Sequence, residues 1–162
     1  MIDLATLIPR LVNDGVEFVI IGGVAATAHG SAYVTEDLDV CYACDVDNLE
    51  RLVKSLAPLH PRLRGAPADL PFLWNAQTIR QGLNFTLQTD LGDVDLLGEV
   101  SGLGSFEQVR AAAVRATLFG VECAVLSLDG LIVAKRTAGR RKDLLILPEL
   151  EALREAGEDR TE

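Results

Sequence analysis

Apolar positions along the chain switch between two spacings. Leu4, Leu7, Ile8, Leu11 and Val12 recur every three or four residues, which predicts a helix that Gly15 stops. Pro9 falls inside that stretch and predicts a late start or a bend. Glu17 to Ile21 is short, mostly apolar and β-branched, as a buried strand requires. Val24 to His29 has room for one short helix, with Gly30 to end it. From Asp37 to Tyr42 acid and apolar residues alternate, then the run continues apolar, which predicts a strand. Asp45 supplies an N-cap for a helix through Leu49, Leu52, Val53 and Leu56, with Pro58 beyond it.

The second half repeats this alternation of types. Pro58, Pro61, Pro67 and Pro71 mark residues 58–71 as a loop. "LNFTLQ" and "DVDLLG" flank "TDLG", a hairpin signal with a four-residue loop. Ser105 and Gln108 form a capping box ahead of the helix "FEQVRAAAVRA". "ATLFGVECAVL" reads as a second hairpin turning at Phe119–Gly120. Ser127 caps "LDGLIVAKRTA", which Gly139 ends, and a last helix follows Pro148. Hairpins interleaved with helices predict an α+β (mixed α/β) fold: one mixed sheet covered by helices, in a single domain over 1–157, with 158–162 a flexible tail.

Composition narrows the setting. With 162 residues, 49% of them apolar, the chain can bury a core, and global disorder is not expected. No run of 18 apolar residues occurs, so no membrane partner is expected. The N-terminal stretch lacks the basic and apolar regions of a signal peptide, which makes the cytoplasm the expected location. The net charge of −9 opposes polyanion binding, and no DNA track is expected. One local exception is "KRTAGRRK" (Lys135 to Lys142), which holds five of the chain's 15 basic residues. It serves a helix C-terminus electrostatically, and it is also a candidate phosphate contact. Cys41 and Cys44 form a lone C-x-x-C without a second pair or a spaced histidine, and the third cysteine is Cys123, so ordinary reduced thiols are expected.

The acids carry the candidate chemistry. Residues two apart on a strand share a face, so Asp37 and Asp39 project together while Leu38 and Val40 face the core. Paired carboxylates repel, and a partly buried pair calls for a proton or a cation, of which Mg²⁺ suits oxygen ligands. "GDVDLL" repeats the form with Asp93 and Asp95; beside the first pair, these would bring three or four carboxylates together, as two-metal phosphoryl chemistry needs. Polar faces of two solvated strands explain the same spacing. Gly22–Gly23 follows the first strand and opens the short helix, where backbone can approach a phosphate closely. A tight turn explains a bare Gly-Gly equally well, and no Walker A loop is present.

The order strand, Gly22–Gly23, short helix, "TEDLDV", strand, with a later "GDVDLL", resembles the DNA polymerase β-like nucleotidyltransferases. "GGVAATAHG…TEDLD" together with "VAKRTAGRRKDLLIL" resembles the AbiEii-type and related minimal members, which include toxins of toxin–antitoxin systems. The resemblance covers roughly residues 16 to 150. It implies that Gly22 and Gly23 hold the triphosphate of an NTP. Asp37 and Asp39 would coordinate two Mg²⁺ ions, Mn²⁺ being the substitute. Asp95 would be the third carboxylate, a metal ligand that also helps deprotonate the attacking hydroxyl, with Asp93 as the fallback. Lys135 and Lys142 would meet phosphates, and Asp143 would be structural or orient a lysine. Many relatives carry an arginine where this chain has Tyr33, which bears on substrate choice and on activity itself. His29 matches the family position and is expected to pack locally.

The function this implies is Mg²⁺-dependent transfer of a nucleotide from an NTP to a hydroxyl on RNA (tRNA included), a protein or a small molecule. The toxin of a toxin–antitoxin pair, with a cognate antitoxin partner, is one form of it. The alternative is a catalytically weak or inactive nucleotide- or protein-binding module of a two-component system. Trp74 is a candidate stacking platform for a base, although "LPFLW" also suits simple packing.

Overall fold

The computed structural model describes residues 1–161, with side chains through Glu158. In chain order the elements are α1 (Leu4–Asn13), β1 (Phe18–Ile21), α2 (Gly22–Ala28), β2 (Asp37–Tyr42), α3 (Val46–Leu56), a 3₁₀ turn (Ala57–Leu59), β3 (Arg62–Leu63), α4 (Ala76–Gln81), β4 (Asn84–Thr89), β5 (Gly92–Leu97), β6 (Glu99–Val100), β7 (Gly104–Ser105), α5 (Phe106–Ala111), β8 (Ala113–Leu118), β9 (Val121–Leu126), α6 (Leu128–Ala138) and α7 (Arg141–Thr161). Seven strands form one mixed sheet in the order β3-β4-β5-β2-β1-β9-β8, and β6 pairs with β7 in a separate ribbon. The expected mixed sheet with helical cover is thus present. No helix among the described residues is long and apolar enough to cross a membrane.

The core is the apolar face of this sheet and the helix stripes against it. Leu7, Ile8 and Leu11 of α1, Val19 and Ile20 of β1, Leu38 and Val40 of β2, Leu52 and Leu56 of α3, and Val94 and Leu96 of β5 are all buried. One polar residue splints this interior. Asn48 is fully buried; its amide oxygen accepts from the Glu17 N–H at 2.7 Å, and its Nδ2 donates to the Glu17 and Ala43 carbonyls. That ties α3 to the ends of β1 and β2 and leaves no buried amide group unpaired. Asp45 caps α3 as expected, accepting from the Asn48 N–H.

Several local expectations change. Helix α1 starts at Leu4 and continues through Pro9; the carbonyl that loses its partner belongs to exposed Ala5, and the Asp3 side chain caps the first turn. Helix α7 likewise starts at Arg141 and passes Pro148, whose missing donor would have served exposed Leu144. The helix also continues through the tail expected from residue 158, and Glu162 lies outside the described residues. The β4–β5 turn is two residues rather than four, because Thr89 pairs with Gly92 and its hydroxyl donates to the Gly92 carbonyl at 2.7 Å. Residues 58–71 are not all loop: Arg62 and Leu63 add an edge strand opposite Gln88 and Leu87. The Ser105–Gln108 capping box and the turn at Phe119–Gly120 are present, but α5 ends at Ala111, and residues 113–116, expected in that helix, open β8 instead.

Candidate active site

The central feature is a register. Strands β2 and β5 run parallel, and their pairing sets Asp37 opposite Asp93 and Asp39 opposite Asp95. Because the apolar partners Leu38, Val40, Val94 and Leu96 are buried at 0–1% exposure, the acids are forced onto the other face. One carboxylate oxygen each from Asp37, Asp39 and Asp95 lies within 4.8 Å of the others. Among the described residues this is the group of three or more acids, histidines or cysteines that could hold a metal ion.

Crowding changes the chemistry of these acids. Burial first, then the charge of Asp37 and the contact with Asp95, push the Asp39 carboxyl up to about 8. Asp37 is also raised, by burial and then by Asp95, against the lowering influence of Thr35 and Arg64. Asp39 Oδ1 is buried with no hydrogen-bond partner. An orphaned acceptor amid like charges is a standing demand for a proton or a cation.

The glycines explain how the acids can sit so deep. Gly22 has φ +66°, and a Cβ there would lie 2.1 Å from Asp39 Oδ2. A Cβ on Gly23 would meet Thr35 at 2.9 Å and the Tyr33 ring at 3.2 Å. The first glycine therefore makes room for Asp39, and the second lets the 31–36 loop close over α2. That loop is pinned by the Thr27 hydroxyl on the Tyr33 carbonyl at 3.1 Å and by the Tyr33 N–H on Ser31 Oγ at 3.0 Å. The Tyr33 ring itself is 55% exposed.

A basic wall stands across from the acids. Lys135 of α6 lies 3.2 Å from Asp143 Oδ1, and Arg140 Nε donates to Asp143 Oδ2 at 2.6 Å. The Arg140 N–H also donates to Asp143, the reach-back of an acid in a helix's first turn. Asp143 is only 1% exposed. Burial opposes its ionisation, but the hydrogen bonds from Arg140 and Lys135 outweigh this and hold its carboxyl below the usual range. Lys142, one residue earlier, is exposed.

Both walls line one cavity of about 810 Å³. Gly22, Gly23, Tyr33, Asp37, Asp39, Asp95, Lys135, Lys142 and Asp143 all contribute to it. Asp93 does not; its carboxylate faces Arg64 instead, with Nε 3.2 Å from Oδ2. Sequence reasoning singled out neither Arg140, which stood only within the basic run, nor Arg64. Arg64 Nη2 donates to Asp95 Oδ1 at 2.8 Å and to the Leu87 carbonyl at 2.9 Å. Its trace in the sequence was the alternation Arg62-Leu63-Arg64 inside a proline-rich stretch.

Other candidates stand outside the site. Trp74 does not line the cavity; its indole N–H donates to the Val53 carbonyl, and Phe72 packs beside it. His29 Nε2 bonds the Leu126 carbonyl at 2.8 Å and packs locally, as expected. Cys41 and Cys123 are buried and Cys44 is exposed, all as free thiols.

No protein-family model matches the chain, and no curated protein matches it either. Solved structures do. A candidate nucleotidyltransferase from Thermotoga maritima is 16% identical, covers 98% of this chain and 96% of its own, and gives a TM-score of 0.52. The lincosamide antibiotic adenylyltransferase LnuA, solved with lincomycin, is 11% identical with a TM-score of 0.61, over 93% of this chain and 95% of its own. ANT(2")-Ia, solved with adenylyl-2"-tobramycin, is 12% identical with a TM-score of 0.57, over 98% and 97%. At these identities the likeness is one of architecture, and it shows that the chain has the fold of the nucleotidyltransferases.

Proposed function

We propose that the chain catalyses Mg²⁺-dependent transfer of a nucleotide from an NTP to a hydroxyl group on a small molecule. The observation that carries this reading is the parallel register of β2 and β5, which gathers Asp37, Asp39 and Asp95 at one cavity wall. The donor set fits a hard divalent cation. It offers carboxylate oxygens alone, with one buried oxygen unpartnered and two acids raised by burial first and then by neighbouring carboxylates. Asp37, Asp39 and Asp95 would hold two Mg²⁺ ions, or Mn²⁺ in their place. Bound there, such ions offset the charge that develops on the transferring phosphoryl and leaving pyrophosphate groups.

The chain's own residues do the rest. Lys135 and Lys142 meet phosphate oxygens from the opposite wall. Gly22 and Gly23 present bare backbone to the triphosphate at the start of a helix that no side chain caps. Asp95 accepts the proton of the acceptor hydroxyl as that oxygen bonds to the α-phosphorus and pyrophosphate departs. Asp143 keeps Lys135 and Arg140 at the cavity, and Tyr33, where relatives carry arginine, meets substrate without adding charge.

Three observations favour a small acceptor. The cavity of about 810 Å³ is of small-ligand size, the net charge of −9 opposes a polyanion, and two of the similar solved structures are antibiotic adenylyltransferases. An RNA end or a protein hydroxyl is the competing acceptor, and an AbiEii-type toxin role with an antitoxin partner would go with it. A single domain over 1–157, working in the cytoplasm where NTP and Mg²⁺ are plentiful, completes the reading.

The test is incubation of the protein with labelled NTPs, Mg²⁺ and a panel of aminoglycosides, lincosamides, other polyols, tRNA and proteins. Label should move to a small acceptor and require Mg²⁺. Label on tRNA or protein instead would replace the acceptor class. Mg²⁺–NTP binding without any transfer would favour the second reading, a nucleotide-binding module, for which the uncharged Tyr33 is the motivating observation.

A further inference from the structure

We propose that Arg64 is a positioning residue that fixes the third carboxylate of the site, with Asp93 as its anchor. The inference rests on the nucleotidyl-transfer reading for its kinetic part and on geometry alone for its metal-binding part. Arg64 continues the β3 edge: its N–H donates to the Thr86 carbonyl at 3.0 Å, and Thr86 pairs with Asp95. Arg64 and Asp95 are therefore two strands apart, roughly 10 Å between backbones, which an extended arginine spans over Thr86. At its far end the guanidinium meets three acceptors. Nη2 donates to Asp95 Oδ1 and to the Leu87 carbonyl, and Nε forms an ion pair with Asp93 by distance, without the alignment of a hydrogen bond.

The side chain is 30% exposed, Asp95 20% and Asp93 38%, so the cluster is partly shielded from water. A planar fork can hold two carboxylates and a carbonyl at once, whereas an ammonium on a flexible stem cannot hold them in one geometry. With Oδ1 held, the Asp95 carboxyl group cannot turn freely, and its ligand atom stays within 4.8 Å of those of Asp37 and Asp39. The two acids of β5 thus divide their work. Asp95 faces the cavity, and Asp93 secures the arginine that steadies it. Arg64 also sets one positive charge against four carboxylates in register, so it tempers the pull of the cluster on cations.

These two effects separate in substitutions. Mn²⁺ binding is measured by electron paramagnetic resonance, and kcat and KM for transfer by the labelled assay. Arg64→Ala should bind Mn²⁺ about tenfold more tightly, because a competing cation is gone, while kcat falls about 10- to 100-fold. Arg64→Lys keeps the charge and loses the fork. Its Mn²⁺ affinity should stay within about threefold of wild type, its kcat should still fall about tenfold, and its KM for NTP should hold. Asp93→Asn should lower kcat in the same direction by a smaller factor. Unchanged or weakened Mn²⁺ binding in Arg64→Ala, or wild-type kcat in Arg64→Lys, would overturn the proposal. If Arg64→Ala does not fold, the kcat of Arg64→Lys and Asp93→Asn decides, and wild-type values in both reject the role. Absence of turnover in the wild type would sink the transfer reading instead, and the Mn²⁺ comparison would still judge Arg64.

Discussion

Asp39 and Asp143 are both carboxylates at one cavity, and their surroundings are opposite. Asp143 is 1% exposed yet fully partnered, with Lys135 on one oxygen and Arg140 on both. Its carboxyl is held below the usual range. Asp39 has acids for neighbours, one oxygen with no partner, and a carboxyl pushed up to about 8. Within the basic wall the Asp143 carboxylate is satisfied by its own neighbours. The acidic wall leaves Asp39 Oδ1 unpartnered, and its three carboxylates could hold a cation. Strain of this kind is tolerated where function uses it.

The largest expected effect sharpens the acidic side. Asp39→Asn or Asp37→Asn should reduce Mg²⁺-dependent transfer on the order of 10³-fold, as loss of a central electrostatic element does. Thermal melting of the metal-free variants should show no loss of stability, because each change relieves repulsion. A large drop in melting temperature would mean that these acids are structural.

Breaking the basic side should do the reverse. Asp143→Ala strands Lys135 and Arg140, and should destabilise the fold by about 2 kcal/mol, under the range for fully buried pairs because Arg140 is 61% exposed. That corresponds to a fall in melting temperature of roughly 4–8 °C. An unchanged melt would remove the contrast between the walls.

Gly22→Ala tests the fit between glycine and acid. Its positive φ and the 2.1 Å clash with Asp39 Oδ2 should together destabilise by about 2 kcal/mol. In an Asp39→Ala background the contacts with Oδ2 and Cγ go while the one with Cβ stays at 3.0 Å, so the loss should shrink to about 1 kcal/mol, mostly backbone strain. Equal losses in both backgrounds would show that the two residues are not coupled.

A further contrast is in pH. A carboxyl whose folded value lies near 8, against 3.8 unfolded, binds its proton more tightly in the native state. Its contribution is present at low pH and is lost as pH rises toward 8. The melting temperature of the metal-free protein should therefore decline from pH 5 to pH 8, and Mg²⁺ should restore it more at pH 8 than at pH 5. Asp39→Asn should flatten both trends.

The acids were legible in the sequence because strand alternation is local: Asp37-Leu38-Asp39 and Asp93-Val94-Asp95 each announce a shared face. What brings them together is a pairing between segments more than fifty residues apart, which alternation cannot specify. Arg64 was hidden for a related reason. It acts across β4 from the position just after a two-residue strand amid prolines, where composition spells loop. Pro9 and Pro148 misled in the other direction. A proline removes one hydrogen bond, and both helices continue because the freed carbonyls belong to exposed Ala5 and Leu144. Caps were read correctly at Asp45, Ser105 and Ser127, since each depends on neighbours within one turn.

The central claim is that Asp37, Asp39 and Asp95 form a divalent-cation site. The most direct measurement is titration of Mn²⁺ into the wild-type protein and Asp39→Asn at pH 8, followed by electron paramagnetic resonance with Mg²⁺ as competitor. Saturable binding that Mg²⁺ displaces, lost or weakened at least tenfold in Asp39→Asn, is the predicted result. Equal binding by the two proteins, or none by the wild type with or without NTP, would contradict it.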